Sequence, residues 1–292
     1  MIPNEVKRGI YEYFAQQDIL DFQIKSTSRA GGGDINEAAI LDTNEGTFFV
    51  KWNDAERYPK MFEKEALGLG ILREAEEISI PKPLHHDEIQ KKGFLLMEAV
   101  ITGVPSENFW FHFGNQLAEL HKHSNDSFGL DHSNYIGSLI QHNKPMNSWS
   151  DFFVTQRLEP QLQLARDSGK ADSGISRQFN TLFSRLDNLF PKELPALLHG
   201  DLWNGNYMVN NRGEAVLIDP AVYYGHREMD IAMTKLFGGF DEEFYSAYHS
   251  NRPLEGGWQE RTEICNLYPL MVHVNLFGGS YLSQVKGVLK RF

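Results

Sequence analysis

Two carboxylates and an amide lie in a short stretch whose residue types could perform chemistry. The stretch begins at Leu197 and reads LLHGDLWNGNYMVNNRGEAVLIDP. An apolar run leads into Asp201, Asn206 follows five positions later, and a second apolar run ends at Asp219. Carboxylates that follow strands commonly face a cleft, because binding residues concentrate on loops. We therefore expect the runs around Leu197 and Leu217 to pair as a hairpin and to bring the three polar side chains together.

An aspartate followed five positions later by an asparagine is the arrangement that protein kinases use for phosphoryl transfer. There the aspartate accepts the hydroxyl proton, the asparagine binds Mg²⁺, and a later aspartate at a strand end also holds the metal. The spacing predicts Asp201 as the general base and Asn206 and Asp219 as ligands of Mg²⁺, which takes few protein oxygens when phosphates supply the rest. The alternative is that Asp201 and Asn206 only shape a turn. This alternative is disfavoured because His199, Asp219 and both apolar runs occur together with the aspartate–asparagine pair.

A nucleotide site would also need a loop that approaches phosphates closely. The segment AGGGDIN lies between two stretches that read as extended, and it contains Gly31, Gly32 and Gly33. Glycine allows backbone N–H groups to come near an anion, so these residues are candidates for phosphate binding. A plain hairpin turn is the alternative for a glycine triplet.

Charged and hinge residues complete the predicted nucleotide site. Lys51 lies in FFVKWN on the next predicted strand, like the strand lysine that pairs with the α- and β-phosphates in kinases. Glu65, on the following predicted helix, is its expected ion-pair partner, and Glu63 is the competing residue. The strand FLLMEAV would lead to a hinge, where the backbone groups of Glu98 and Val100 are expected to bind adenine.

Composition narrows the possible partners. The chain of 292 residues has a formal net charge of −11, which argues against nonspecific binding of nucleic acid, because that binding needs Lys and Arg. Its single cysteine excludes an internal disulfide framework. With neither a signal-peptide pattern nor an apolar run of about 18 residues, we expect a cytoplasmic protein that binds no membrane. We also expect a monomer.

The order of predicted elements gives the fold class. The first third reads as one amphipathic helix, several strands and a second helix, whereas long amphipathic helices dominate the remainder apart from the hairpin. We expect an α+β, two-lobed, protein-kinase-like fold, with a strand-rich nucleotide-binding lobe over residues 1–102. A mainly helical lobe over residues 103–292 would carry the catalytic loop and the acceptor site.

Motifs along nearly the whole chain resemble the fructosamine/ketosamine-3-kinase family, relatives of aminoglycoside phosphotransferases and choline kinases. The motifs are GGGDIN, FFVKWN, MFEKEALGLGIL, NYIG, WSDFFVTQRLEPQL, LLHGDLWNGN, IDPAVYYGHREMDIAMTKLFGGF and FYSAYH. The resemblance implies ATP- and Mg²⁺-dependent phosphorylation of the sugar 3-hydroxyl of ketosamines on amines or protein lysines, which leads to deglycation. It also implies that Asp230 braces the catalytic loop. Some relatives have a cysteine where this chain has Asp34, so a redox switch at that position is not expected.

Acceptor residues are less sharply indicated. Trp203 could cover a sugar or an alkyl stem, with plugging of its own loop as the alternative. His273 falls on a predicted C-terminal helix that could line the acceptor pocket, although a histidine on an apolar helix is more often a core residue. A phosphotransferase of the aminoglycoside or choline kinase type and a nucleotide-binding pseudokinase are the alternative functions.

Overall fold

A computed structural model describes residues 1–31 and 35–292 of the chain. It divides into two compact units. The first, here called the sheet unit, comprises Met1–Glu107 and Met208–Pro220, and the second, the helical unit, comprises Asn108–Tyr207 and Ala221–Phe292. The segment that ends at Pro220 therefore belongs with the sheet, which its place in the sequence does not indicate.

Eleven α-helices lie in the described part of the chain. They are α1 Asn4–Gln16, α2 Met61–Glu74, α3 Phe109–Leu120, α4 Trp149–Phe152, α5 Glu159–Asp167, α6 Ser173–Phe183, α7 Leu186–Leu189, α8 Glu228–Leu236, α9 Glu242–Asn251, α10 Trp258–Phe277 and α11 Tyr281–Leu289. A π-helical turn, Phe153–Leu158, joins α4 to α5. The π-helical turn ends just before Pro160, which lies in the first turn of α5, where a missing N–H is tolerated. None of the described helices is long and apolar enough to cross a bilayer.

Strands in the described part of the chain are short outside the sheet unit. They are β1 Ile24–Arg29, β2 Glu37–Thr43, β3 Gly46–Asp54, β4 Pro83–Ile89, β5 Lys92–Glu98, β6 Asn134–Ile136, β7 Leu139–Gln141, β8 Ala196–Leu198, β9 Tyr207–Val209, β10 Ala215–Leu217 and β11 Tyr223–Gly225. The first five form one antiparallel sheet in the order β1-β2-β3-β5-β4.

The sheet unit has its own hydrophobic core. Helix α1 buries Val6, Ile10 and Phe14 on one face, as the spacing of its apolar residues predicts. These side chains pack with Trp52 of β3 and Phe94 of β5 in one buried cluster. The strand that carries Lys51 is therefore fixed from both its neighbouring strands and one packed helix.

The helical unit packs around a larger aromatic and aliphatic core. Buried residues from the π-helical turn, α6, α10 and the short strands contribute to one cluster, among them Phe153, Phe179 and Leu267. Helix α10 is 20 residues long and contains Pro269. This core carries β8 and β11, whose flanking segments form the candidate catalytic loop.

The predicted pairing of the runs around Leu197 and Leu217 is wrong. Strand β8 pairs with β11, so that Leu198 lies opposite Tyr223, whereas β10 pairs with β9. The turn between β9 and β10 explains the difference: the Asn210 side chain accepts backbone N–H bonds from Arg212 and Glu214. Such local bonding closes a tight hairpin, and the stretch between β8 and β9 remains available as a loop.

Close approach of α3 and α9 gives a test of helical packing. A Cβ built on Gly114 of α3 would lie 2.3 Å from the Phe244 carbonyl oxygen, whereas a Cβ on Gly70 of α2 meets nothing within 4 Å. Gly114→Ala should therefore lower the free energy of unfolding by about 1–3 kcal/mol through overpacking. Gly70→Ala should raise it by about 0.5–1 kcal/mol, because alanine favours a helix interior. Denaturant unfolding of both variants checks this, and equal effects would contradict the packing described.

Candidate active site

Lys51 is a buried cation held between two carboxylates of the sheet unit. It lies on β3, forms an ion pair with Glu65 of α2, and its Nζ donates to Asp219 Oδ1 at 2.6 Å. The competing Glu63 instead contacts Lys60 and Lys64. The predicted pairing of Lys51 with Glu65 is confirmed, and the contact with Asp219 adds a second anion that was not predicted.

Burial and neighbouring charges shift the pKa values of Lys51 and Glu65. Burial opposes a charge on Lys51, but the adjacent Asp219 and Glu65 carboxylates outweigh it and raise the pKa of Lys51 above its ordinary value. Burial raises the pKa of Glu65 to about 7, although the charge of Lys51 acts in the opposite direction. The lysine therefore remains a cation at neutral pH. The Asp219 side chain is 56% exposed, so one of the lysine's two partners stays accessible to a ligand.

A cavity of about 310 Å³ lies within the sheet unit. The predicted hinge residues Glu98 and Val100 line it, together with Ser79, Asn211 and Arg212. The end of β5 and the segment that follows it, from Glu98 to Ile101, border the cavity.

Glycine residues of the predicted phosphate loop are only partly described. Gly31 is exposed, and a Cβ built on it meets no atom within 4 Å, so sterics do not require glycine there. Gly32 and Gly33, together with Asp34, lie outside the described residues.

The candidate catalytic loop follows β8, and a buried carboxylate fixes its backbone. Asp230 of α8 accepts the N–H of His199 at 2.8 Å with Oδ2 and the N–H of Gly200 at 2.9 Å with Oδ1. His121 Nε2 lies 3.3 Å from Asp230 Oδ2, and Tyr248 Oη lies 2.7 Å from the other nitrogen of His121. Burial lowers the pKa of His121, so a neutral imidazole can donate to Asp230 and accept from Tyr248.

Gly200 permits a close approach that a side chain would prevent. Its φ is +83°, and an added Cβ would lie 2.0 Å from the Ala221 carbonyl oxygen. The N–H of Ala221 donates to the His199 carbonyl at 2.9 Å. The peptide of Ala221 is thus packed directly against the residue that precedes Asp201.

Asn206 holds Asp201 from across the loop. Its Nδ2 donates to the Asp201 carbonyl at 2.8 Å and to Asp201 Oδ2 at 2.9 Å. Because both bonds use the amide nitrogen, the orientation of the amide is fixed and Oδ1 remains the acceptor. An amide oxygen and, on Asp219, a carboxylate are hard donors that suit Mg²⁺. No cluster of three or more His, Cys, Asp or Glu that could hold a metal occurs in residues 1–31 and 35–292.

The two predicted acceptor residues contact one aromatic ring. The rings of Trp203 and Phe237 are 5.8 Å apart, and those of Phe237 and His273 are 4.9 Å apart. Asn204 Nδ2 donates to the carbonyls of Phe237 and Gly239, which ties the loop to this aromatic surface. His273 Nδ1 bonds the Pro269 carbonyl at 2.7 Å, and burial lowers the pKa of the imidazole.

Several side chains of this site were missed by sequence reasoning. Phe237, His121 and Tyr248 belong to elements distant in sequence from Asp201, and none lies in a spacing pattern typical of catalysis. The signals available in the sequence were the FGGF segment after α8, because paired glycines mark a turn, and the motif FYSAYH, which contains Tyr248.

A lysine–carboxylate pair on an antiparallel sheet and an aspartate–asparagine loop on a helical unit define a protein-kinase-like phosphotransferase. The fructosamine kinase family model matches residues 7–292. A probable ketoamine kinase from Vibrio parahaemolyticus is 41% identical over 281 residues, with 96% of each chain covered. A chloroplastic protein-ribulosamine 3-kinase from Arabidopsis thaliana is 39% identical, covering 91% of this chain and 82% of the relative.

Solved structures agree with this assignment. A crystal structure from Haemophilus somnus, provisionally named a fructosamine-3-kinase, is 30% identical with a TM-score of 0.86 and covers 97% of this chain and 96% of the other. An aminoglycoside phosphotransferase, in a ternary complex with ADP and hygromycin B, shares the fold at 12% identity and a TM-score of 0.64, covering 98% of each chain. The chain belongs to the fructosamine kinase family.

The buried ion pair predicts a specific pattern of stability. Lys51→Met should lower the free energy of unfolding by about 3–5 kcal/mol, because it leaves Glu65 buried without its cation. The double variant Lys51→Met/Glu65→Leu should recover most of that loss, since the unpaired carboxylate is gone. Denaturant unfolding of the three proteins measures this, and a double variant no more stable than Lys51→Met would show that the pair is not the cause.

Proposed function

We propose that this chain transfers the γ-phosphoryl group of ATP to the sugar 3-hydroxyl of ketosamines attached to amines or protein lysines. The phosphorylated adduct then decomposes and releases the amine, which amounts to deglycation. The observation that carries the proposal is the loop after β8, in which Asp230 holds the backbone and Asn206 orients Asp201. Membership of the fructosamine kinase family and the names of the relatives, ketoamine kinase and protein-ribulosamine 3-kinase, supply the acceptor class.

The nucleotide is assigned to residues of the sheet unit. Lys51 binds the α- and β-phosphates, and Glu65 keeps the ammonium group in place. Adenine occupies the cavity bordered by Glu98 and Val100 and bonds to backbone groups there. Gly31, with Gly32 and Gly33, supplies N–H groups to the phosphates. Lys51 also contacts Asp219, so bound phosphates would compete with Asp219 for Lys51, and Mg²⁺ would compete with Lys51 for Asp219.

The reacting groups are assigned to the loop and to the strand end. Asp201 accepts the proton of the acceptor hydroxyl as its oxygen forms the new bond to phosphorus, while the bond from phosphorus to ADP breaks. Asn206 Oδ1 and the Asp219 carboxylate would hold Mg²⁺, which would neutralise charge on the phosphates. Proton, phosphoryl group and leaving ADP are all accounted for without a covalent enzyme intermediate.

The aromatic surface beside the loop is assigned to the acceptor. Trp203 offers a ring face to the sugar or to the alkyl stem of a glycated lysine, and Phe237 supports it from the edge. His273 contacts the same Phe237 ring and lies at the far side of this surface. Aromatic rings bury apolar sugar faces at a small entropic cost, because they have few rotatable bonds.

Acceptor choice tests the proposal directly. Mg·ATP turnover should be measured with ribulosyl-lysine, fructosyl-lysine, an aminoglycoside and choline, and without any acceptor. We expect turnover with at least one ketosamine and no more than the acceptor-free rate with the other two compounds. Turnover with an aminoglycoside or choline alone would assign the chain to a different acceptor class, and nucleotide binding without any turnover would indicate a pseudokinase.

Two substitutions separate the base from the metal ligand. Asp201→Asn should leave Mg·ATP affinity within a few-fold of wild type and lower kcat by about 10²–10⁴-fold, because a general base contributes that much. Asp219→Asn should weaken nucleotide binding in the presence of Mg²⁺ as well as turnover, because the cation loses a charged ligand. Calorimetric titration with and without Mg²⁺, alongside ketosamine phosphorylation, measures both. Exchanged phenotypes would mean that the two roles are reversed.

A further inference from the structure

Two motifs of the helical unit, NYIG and WSDFFVTQRLEPQL, have no part in the proposed chemistry, yet both contribute buried polar side chains to one network. Asn134 comes from the first motif and Arg157 from the second, and Gln141 and Asn143 lie between them in the sequence. Tyr268 of α10 completes the set. All five are buried, and they are called the amide network below.

Hydrogen bonds run through the amide network in one direction. Arg157 Nη2 donates to Asn143 Oδ1 at 2.8 Å, and Asn143 Nδ2 donates to Asn134 Oδ1 at 2.9 Å. Asn134 Nδ2 in turn donates to the Val222 carbonyl at 2.8 Å. The chain of bonds therefore begins on a side chain and ends on the backbone that follows Asp219 and Pro220 in the sequence.

Gln141 forms a second branch of the network. Its Nε2 donates to Asn134 Oδ1 at 2.9 Å and to the Ala221 carbonyl at 3.0 Å. Its Oε1 accepts from the Tyr268 hydroxyl at 2.9 Å. Both hydrogens of the amide nitrogen are used, so two consecutive backbone carbonyls, those of Ala221 and Val222, are each held by a buried amide.

Arg157 and three backbone carbonyls set the direction of these bonds. A guanidinium can only donate, so Asn143 presents its oxygen to Arg157. The carbonyls of His132, Val222 and Ala221 can only accept, and they impose the same orientation on Asn143, Asn134 and Gln141 in turn. Reversing Asn143 or Asn134 would place N–H against N–H, and reversing Gln141 would place its Oε1 against Asn134 Oδ1 and the Ala221 carbonyl oxygen. Either clash is strongly unfavourable in a buried site. Arg157 itself is fully buried, lies 3.9 Å from the centroid of the Tyr223 ring, and donates also to the carbonyls of His142 and Gln156.

The choice of an arginine here needs an explanation, because burial of a charge is costly. Its hydrogen-bond acceptors within the described part of the chain are neutral oxygens, and none of the ion pairs found there includes it. Aromatic faces compensate in part for the missing counter-charge. A guanidinium at this position has only N–H donors and cannot present an acceptor to Asn143 in any orientation.

The amide network acts on the catalytic loop through the backbone of Ala221, whose carbonyl accepts from Gln141. Its carbonyl packs against Gly200, where a Cβ would lie only 2.0 Å away, and its N–H bonds the His199 carbonyl at 2.9 Å. A shift of this peptide must therefore shift the two residues that precede Asp201. Asp219 just upstream has a φ of +52°, an uncommon conformation for a residue with a side chain, and it needs firm support on the side that follows it.

We propose that Gln141 is a positioning residue for the general base Asp201, and that the Ala221 carbonyl, together with Arg157 acting through Asn143 and Asn134, fixes the orientation of its amide. The inference rests on the proposed function, because it concerns the placement of the base. Gln141 touches neither substrate nor nucleotide in this scheme. Loss of its bond to Ala221 lets the loop move, and misplacement of a reacting group by about 1 Å costs on the order of 100-fold in rate.

Gln141→Met and Gln161→Met form a matched pair for the test. Gln161 is also a buried glutamine of the helical unit, and its Oε1 accepts from Asn275 at 2.8 Å, remote in bonding from the loop. Gln141→Met should lower kcat with ribulosyl-lysine by about 100-fold and leave the KM for ATP within about threefold. Gln161→Met should lower Tm to a similar extent but leave kcat near the wild-type value.

Tyr268→Phe keeps the inference testable if Gln141→Met does not fold, because it removes only the hydroxyl that bonds Gln141 Oε1. We expect it to fold and to lower kcat by about tenfold, with the KM for ATP unchanged. Equal kcat losses in both methionine variants, or wild-type kcat in Gln141→Met or Tyr268→Phe, would overturn the inference. Absence of ketosamine turnover by the wild-type protein would instead overturn the proposed function.

Discussion

The carboxylate of Asp230 is the group on which the loop after β8 depends. It is 1% exposed and accepts two successive backbone N–H groups, those of His199 and Gly200. Charge-assisted bonds of this kind are stronger than bonds between neutral groups, and removal of a buried acceptor leaves two donors without partners. The loop therefore has little freedom to change its path without disrupting α8, and Asp201 inherits a fixed position from its neighbours.

Two buried cations, Lys51 of the sheet unit and Arg157 of the helical unit, are stabilised in different ways. Lys51 must remain charged although it is buried, and two carboxylates supply the compensation. Arg157 remains charged with neutral oxygens and aromatic faces around it. The first cation lies beside Asp219, whose side chain stays accessible to a ligand, whereas the second is sealed inside the helical unit. The positive charge of Lys51 is thus available for ligand binding, whereas that of Arg157 orients buried side chains.

The ion pair of the strand lysine Lys51 with Glu65 was predicted correctly, because it depends on residue type and local position, and the α+β kinase-like fold followed from the order of elements. The roles of Asp201 and Asn206, which depend on their spacing, stay predictions. The pairing of β8 with β11 could not be predicted in this way, because strands of three residues carry no periodicity. The turn residues at Asn210 favour the β9–β10 hairpin. The prediction from apolar runs alone did not take this turn into account.

Long-range polar partners were also beyond the reach of the sequence. Nothing in NYIG or WSDFFVTQRLEPQL indicates that Asn134 and Arg157 are linked through Asn143, since the link depends on how β6, β7 and the π-helical turn pack. Phe237 is a similar case, because its place between Trp203 and His273 arises from the fold of α8 against α10. Buried networks of this type specify geometry, and their members look like ordinary polar residues when read singly.

In the proposed function, Asp201 directs phosphoryl transfer to one hydroxyl of a ketosamine. ³¹P–¹H correlation NMR of the product formed from Mg·ATP and ribulosyl-lysine identifies the oxygen that is phosphorylated. We expect a single phosphate monoester on the sugar 3-oxygen, followed by release of free lysine, and no monoester with an acceptor that lacks the 3-hydroxyl. A phosphate on another sugar oxygen, or inorganic phosphate as the sole product, would contradict the proposed function.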